Sequence, residues 1–124
     1  MSRAPRRQSA RTSKKRDGPP SLDKRRLDEL VDEAIIDAYG ESEQLVGLLC
    51  TLQQHLAVPF TTEILGTTVR VERVDVTDAD EIVAICRRGQ QRQKIPILDL
   101  PLPSPPPDGC EWIAAYRHWA RGGR

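Results

Sequence analysis

Aromatic side chains are scarce in this sequence, with two Trp, two Tyr and one Phe among 124 residues. A buried core must therefore be built mainly from Leu, Ile and Val. Cysteine is also sparse: Cys50, Cys86 and Cys110 stand far apart with no Cys-x-x-Cys pair. That spacing gives neither a zinc knuckle nor a disulfide framework, and an odd count argues against secretion. No apolar run approaches the roughly 18 residues of a membrane span. The basic start has no apolar segment of the kind a secretory signal needs, despite Arg6-Arg7. These absences make the cytoplasm the expected compartment. Catalytic signatures are missing too. There is no Gly-rich phosphate loop, no His-Glu-x-x-His and no Ser/His/Asp arrangement, and His55 and His118 stand alone. A binding protein is expected, not an enzyme.

The net charge of +1 conceals a division. Residues 1–26 carry ten Lys/Arg and two Asp/Glu, whereas residues 27–124 carry nine Lys/Arg and sixteen Asp/Glu. An acidic domain attracts cations, and a basic arm attracts phosphate-rich or acidic partners. Residues 1–20 are Arg, Lys, Ser, Pro and Gly with almost no large apolar group. Such a segment cannot offset the entropy of ordering and is expected to be a disordered tail.

Residues 21–100 read as one α+β domain. Ser21 is the expected N-cap of a first helix. Its apolar stripe runs Leu27, Leu30, Val31, Ala34, Ile35 and Ala38, and Gly40 is expected to close it in the left-handed conformation. Ser42 is expected to cap a second helix with Leu45, Leu48, Leu49, Leu52 and Leu56 on one face, stopped by Pro59. The two form a helical hairpin. The period then changes to two, giving short strands over Phe60–Leu65, Thr67–Val76, Glu81–Cys86 and Lys94–Leu98. Turns fall at Gly66, at Asp78-Ala79-Asp80 and at Gly89-Gln90-Gln91. Such strands suit a small antiparallel curled sheet of SH3-like form, with Pro96 placing the last strand at an edge. Residues 101–107 form a polyproline linker. Residues 108–124 form a C-terminal helix with Asp108 as N-cap and Glu111 at N3, which docks Trp112, Ile113, Tyr116 and Trp119 on the domain.

The sharpest local feature is an acid run. Asp28, Glu29, Asp32, Glu33, Asp37, Glu41 and Glu43 follow one another with no Lys or Arg between them. Like charges at i, i+4 on a helix cost a few tenths of a kcal/mol each. A bound cation, or the upstream cluster Lys24-Arg25-Arg26, would offset this. In the turn Asp37-Ala-Tyr-Gly-Glu-Ser-Glu43, three carboxylates surround carbonyls freed at a helix end. Calcium takes six to eight hard oxygen ligands and tolerates irregular geometry. Three acids fall short of that shell, and Asp75, Asp78 and Asp80, with Glu81, at a strand turn are the expected further donors. Asp75-Val-Thr-Asp-Ala-Asp80 is not an EF-hand loop, since it lacks the Gly at position six and the Glu at twelve.

The stretch Ile36-Asp-Ala-Tyr-Gly-Glu-Ser-Glu-Gln44, followed by Leu56-Ala-Val-Pro-Phe60 and Val69-Arg-Val-Glu72, resembles the CcbP-type family of small bacterial calcium-binding proteins. The likeness covers roughly residues 27–100. It implies an acidic α+β domain that binds calcium without an EF-hand, with Asp37, Glu41 and Glu43 at the matching acid positions. The basic tail, the proline linker and the Trp-bearing C-terminal helix depart from the pattern. So do Arg70, Arg73, Arg87, Arg88, Arg92 and Lys94 in the strand region. The alternative reading is a module that binds nucleic acid or an acidic partner through Arg3, Arg6, Arg7, Arg11, Lys14, Lys15 and Arg16, together with the arginines of the strand region.

Overall fold

The computed structural model describes residues 22–122; the tail, including Ser21, lies outside them. Helix α1 spans Lys24–Ala34 and is capped by Asp23, whose carboxylate accepts from the Arg26 N–H at 2.9 Å. Leu30, Val31 and Ala34 are buried. The helix ends four residues before the expected Ala38, and Ile36 is 74% exposed. Asp37, not Gly40, takes the left-handed backbone, with φ 65°. Asp is one of the few L residues that visit this region, since its short side chain can hydrogen-bond locally. Gly40 is instead extended (φ −136°) and is the N-cap of α2, Glu41–His55, which places Ser42 inside the first turn. Glu43 reaches back, its Oε1 accepting the Tyr39 N–H at 2.9 Å.

The expected Leu stripe of α2 is buried. Gly47 is needed for its approach to α1, since a Cβ there would run into the backbone carbonyl of Ala34. Four strands follow as an antiparallel meander in the order β1-β2-β3-β4: β1 Phe60–Ile64, β2 Thr67–Val76, β3 Ile82–Arg88 and β4 Gln91–Pro96. The β1–β2 turn uses Leu65 and Gly66, both with positive φ, as a two-residue hairpin requires. Pro96 ends edge strand β4, the position that tolerates a missing donor. The register slips at Glu72, between Val71 and Arg73, which is a β-bulge. Strand β3 is buried from Ile82 to Cys86 without alternation.

The inner face of the sheet, with Val69, Val71, Val74, Ala84 and Cys86, shares one core with the helices. Gln53 of α2 donates to the Val74 carbonyl at 3.0 Å. A 3₁₀ turn at Ile97–Asp99 leads into the proline-rich segment, where Leu102 is buried and Pro101 O accepts from the buried Thr62 hydroxyl at 2.7 Å. Helix α3, Glu111–Ala120, begins after Cys110, so the expected Asp108/Glu111 capping pair does not form. The Asp108 carbonyl instead accepts from the Ala57 N–H at 2.8 Å. Beside it Gly109 (φ 87°) lies against the backbone of His55 and Leu56. Trp112, Ile113 and Tyr116 are buried and Trp119 packs against the core, as the sequence predicts. His55 stacks on Trp112 at 5.6 Å between centroids, a packing role. Cys86 and Cys110 are buried and Cys50 is exposed. Among the described residues no helix is long and apolar enough to cross a membrane.

Candidate metal site

The acid run is partly neutralised within α1. Lys24 pairs with Asp28 at 2.9 Å and Arg26 with Glu29 at 3.2 Å. From α3, His118 Nε2 meets Asp28 Oδ1 at 2.8 Å. The Lys24 hydrogen bond and then that of His118 hold the Asp28 carboxyl below the ordinary aspartate range. The upstream basic cluster thus offsets the first acids, Asp28 and Glu29.

Of the later acids, Glu41 lines a cleft of about 420 Å³ between α2, the β2–β3 turn and α3. Glu41, Ser42 and Leu45 line it from α2, Asp80 from the strand turn, and Tyr116, Trp119, Ala120 and Gly122 from the C-terminal side. Its walls are tied together. Trp119 Nε1 donates to Gln44 Oε1 at 2.8 Å, and the Tyr116 hydroxyl accepts from the buried Ile82 N–H at 3.4 Å. The Tyr116 and Trp119 rings stack at 6.1 Å. The β2–β3 turn is braced by Thr77, whose hydroxyl accepts from the Ala79 and Glu81 N–H groups at 3.2 and 3.3 Å. Asp80 takes a left-handed φ of 62° there.

Of the six sequence-predicted ligands, this cleft brings together Glu41 and Asp80. Asp37 and Glu43 are exposed on the α1–α2 turn and the start of α2, with Glu43 engaged by Tyr39. Asp78 is exposed in the β2–β3 turn. Asp75 is half-buried within β2, its Oδ1 accepting from the Val76 N–H at 2.8 Å. Among the described residues no three His, Cys, Asp or Glu side chains stand together as a finished metal cage. Glu41, Asp80 and Ser42 give the cleft hard oxygen donors and no imidazole or thiol, the donor chemistry of calcium, with the rest of a shell left to carbonyls and water. The Gln44–Trp119 tie and the Ser42 contribution are missing from the sequence reading. A Trp at helical spacing signals core packing and says nothing of the indole N–H partner.

This is an acidic α+β domain with a cleft between α2, the β2–β3 turn and α3, to which Glu41, Ser42 and Asp80 bring oxygen donors. The model of the CcbP family, described as calcium binding, matches residues 28–120, and the chain belongs to that family. The match runs through the proline-rich segment and α3, so these are part of the family domain and not additions to it. No curated protein and no solved structure matches the chain.

Proposed function

We propose that this protein holds a calcium ion at the mouth of the cleft between Glu41 and Asp80, and acts as a buffer or sensor, not as a catalyst. The observation that carries this is that Glu41 and Asp80, 39 positions apart in sequence, line one cleft. Two anions facing one space repel, and a divalent cation between them removes that repulsion. Asp37, Glu43, Asp75 and Asp78 belong to the same two acidic regions and are the next donors. Magnesium demands near-ideal octahedral geometry and dehydrates reluctantly, so an irregular set of this kind favours calcium.

Thermal unfolding tests the reading. A ligand at about one hundred times its Kd stabilises the folded state by about 2.7 kcal/mol. Calcium should raise Tm well above the effect of equimolar magnesium. The double variant Glu41→Gln/Asp80→Asn should lose that rise with no fall in its ion-free Tm, because both replacements are isosteric, Asn tolerates the left-handed turn and the repulsion between the two acids is gone. A double variant that gains as much from calcium as the wild type would place the ion elsewhere.

A further inference from the structure

On the outer face of the sheet the register sets cationic side chains in rows. Thr61, Arg70, Arg87 and Arg92 are successive cross-strand partners over all four strands. Beyond the bulge, Arg73 and Lys94 flank Ile85 in a second row. Directly opposed residues share a face, and rows two residues apart lie about 6.8 Å from each other along the strands. Glu63 and Asp75, at the two ends of this face, are the acids that bound it. Between them stands Glu72, and the bulge directs its carboxylate at two arginines. Oε2 accepts from Arg87 Nε at 2.8 Å and Oε1 from Arg92 Nε at 3.1 Å. Burial pushes the Glu72 carboxyl up, but these two hydrogen bonds and the arginine charges outweigh it and hold it below its ordinary range.

A guanidinium has five donors in a fixed fork. With Nε turned to Glu72, the terminal nitrogens of Arg87 and Arg92 remain for an outside anion, and their orientation is fixed before it arrives. Arg70, beside Arg87, is exposed. Arginine in such a set favours bidentate recognition of planar or tetrahedral oxyanions. An acidic protein partner would need a pocket for a buried aromatic or aliphatic anchor. These rows offer none: Ile85 is 4% exposed, and no aromatic side chain stands in them. The lack of aromatics also removes the stacking platform that single strands use. We infer that this outer sheet face is a phosphate-binding surface for duplex nucleic acid, with Arg70, Arg87 and Arg92 as phosphate contacts and Glu72 as the positioning residue for two of them.

Titration of the full chain with a fluorescent duplex over a salt series tests this. Each phosphate contact contributes about −0.9 to the slope of log K against log salt. The variant Arg70→Ala/Arg87→Ala/Arg92→Ala should bind at least tenfold more weakly at low salt, with a slope shallower by about 2.7. Arg70→Ala, which breaks no hydrogen bond of the sheet, should lose about 0.9 of slope with Tm unchanged. Glu72→Gln decides between orientation and bulk charge. It makes the face more positive, so bulk attraction predicts tighter binding, whereas positioning predicts weaker binding. Unchanged slopes in both arginine variants would assign any affinity to the basic arm and overturn the inference. So would tighter binding by Glu72→Gln, or binding of polyglutamate at salt where duplex does not bind.

Discussion

Asp37 occupies a left-handed backbone that an L side chain holds at a cost of about 1–2 kcal/mol, less for Asp. Asp37→Gly should therefore raise ion-free stability by about 0.5–1 kcal/mol, and Asp37→Ala should lower it by about 1 kcal/mol, both read by chemical denaturation. Gly109 is the opposite case, because its positive φ coincides with close backbone contact to His55 and Leu56. Gly109→Ala should cost more than about 1 kcal/mol. The presence of a left-handed residue between the first two helices was legible in the sequence. Its identity was not, because glycine is the usual choice and the position of the left-handed residue depends on where the helix ends. The same holds for the metal candidates. That acids from two regions converge could be proposed from charge alone, but that Glu41 and Asp80 are the pair in one cleft depends on how α2 lies against the β2–β3 turn.

Helix α3 acts as a clamp. It is tied to α1 through His118–Asp28, to α2 through Trp119–Gln44 and to β3 through Tyr116 and the Ile82 N–H. Ile113 is 2% exposed at the centre of its buried face, and Ile113→Ala should cost about 2–5 kcal/mol. Trp119→Phe keeps an aromatic ring in place but loses the bond to Gln44, so it should cost about 1 kcal/mol and also reduce the calcium-induced rise in Tm. The elements themselves were well marked in the sequence. The Leu stripe of α2, the switch to period two after Pro59 and the turn residues at 66, 78–80 and 89–90 all correspond to observed elements, whereas the last strand begins at Gln91, three residues before the expected Lys94, and Ile97 and Leu98 lie in the 3₁₀ turn. Helix ends were not. Ser21, Ser42 and Asp108 had the right chemistry for caps, but Asp23, Gly40 and Cys110 flank the helices observed, since packing decides where each helix stops.

Among the described residues, Glu41 and Asp80 line the cleft, whereas the arginines of the outer sheet stand in rows about Glu72. Two carboxyls tie these regions to folding. Asp28 and Glu72 are both held below their ordinary values by cationic partners. A carboxyl that releases its proton more readily in the folded chain stabilises that chain fully above the unfolded value, about 4, and loses this as pH falls through the lower folded value. Tm should thus be flat near neutral pH and decline below about pH 4. In Asp28→Asn the decline should be shallower, because one of the carboxyls that drive it is gone.

The unequal placement of the three thiols turns the chain into its own reporter. Cys50 is exposed on α2, whereas burial lifts the Cys86 and Cys110 thiols above their ordinary range. A thiol reagent therefore counts one group in the folded chain and three once it opens. The lag before the second and third react times the opening of the core directly, with no dye attached and no residue changed.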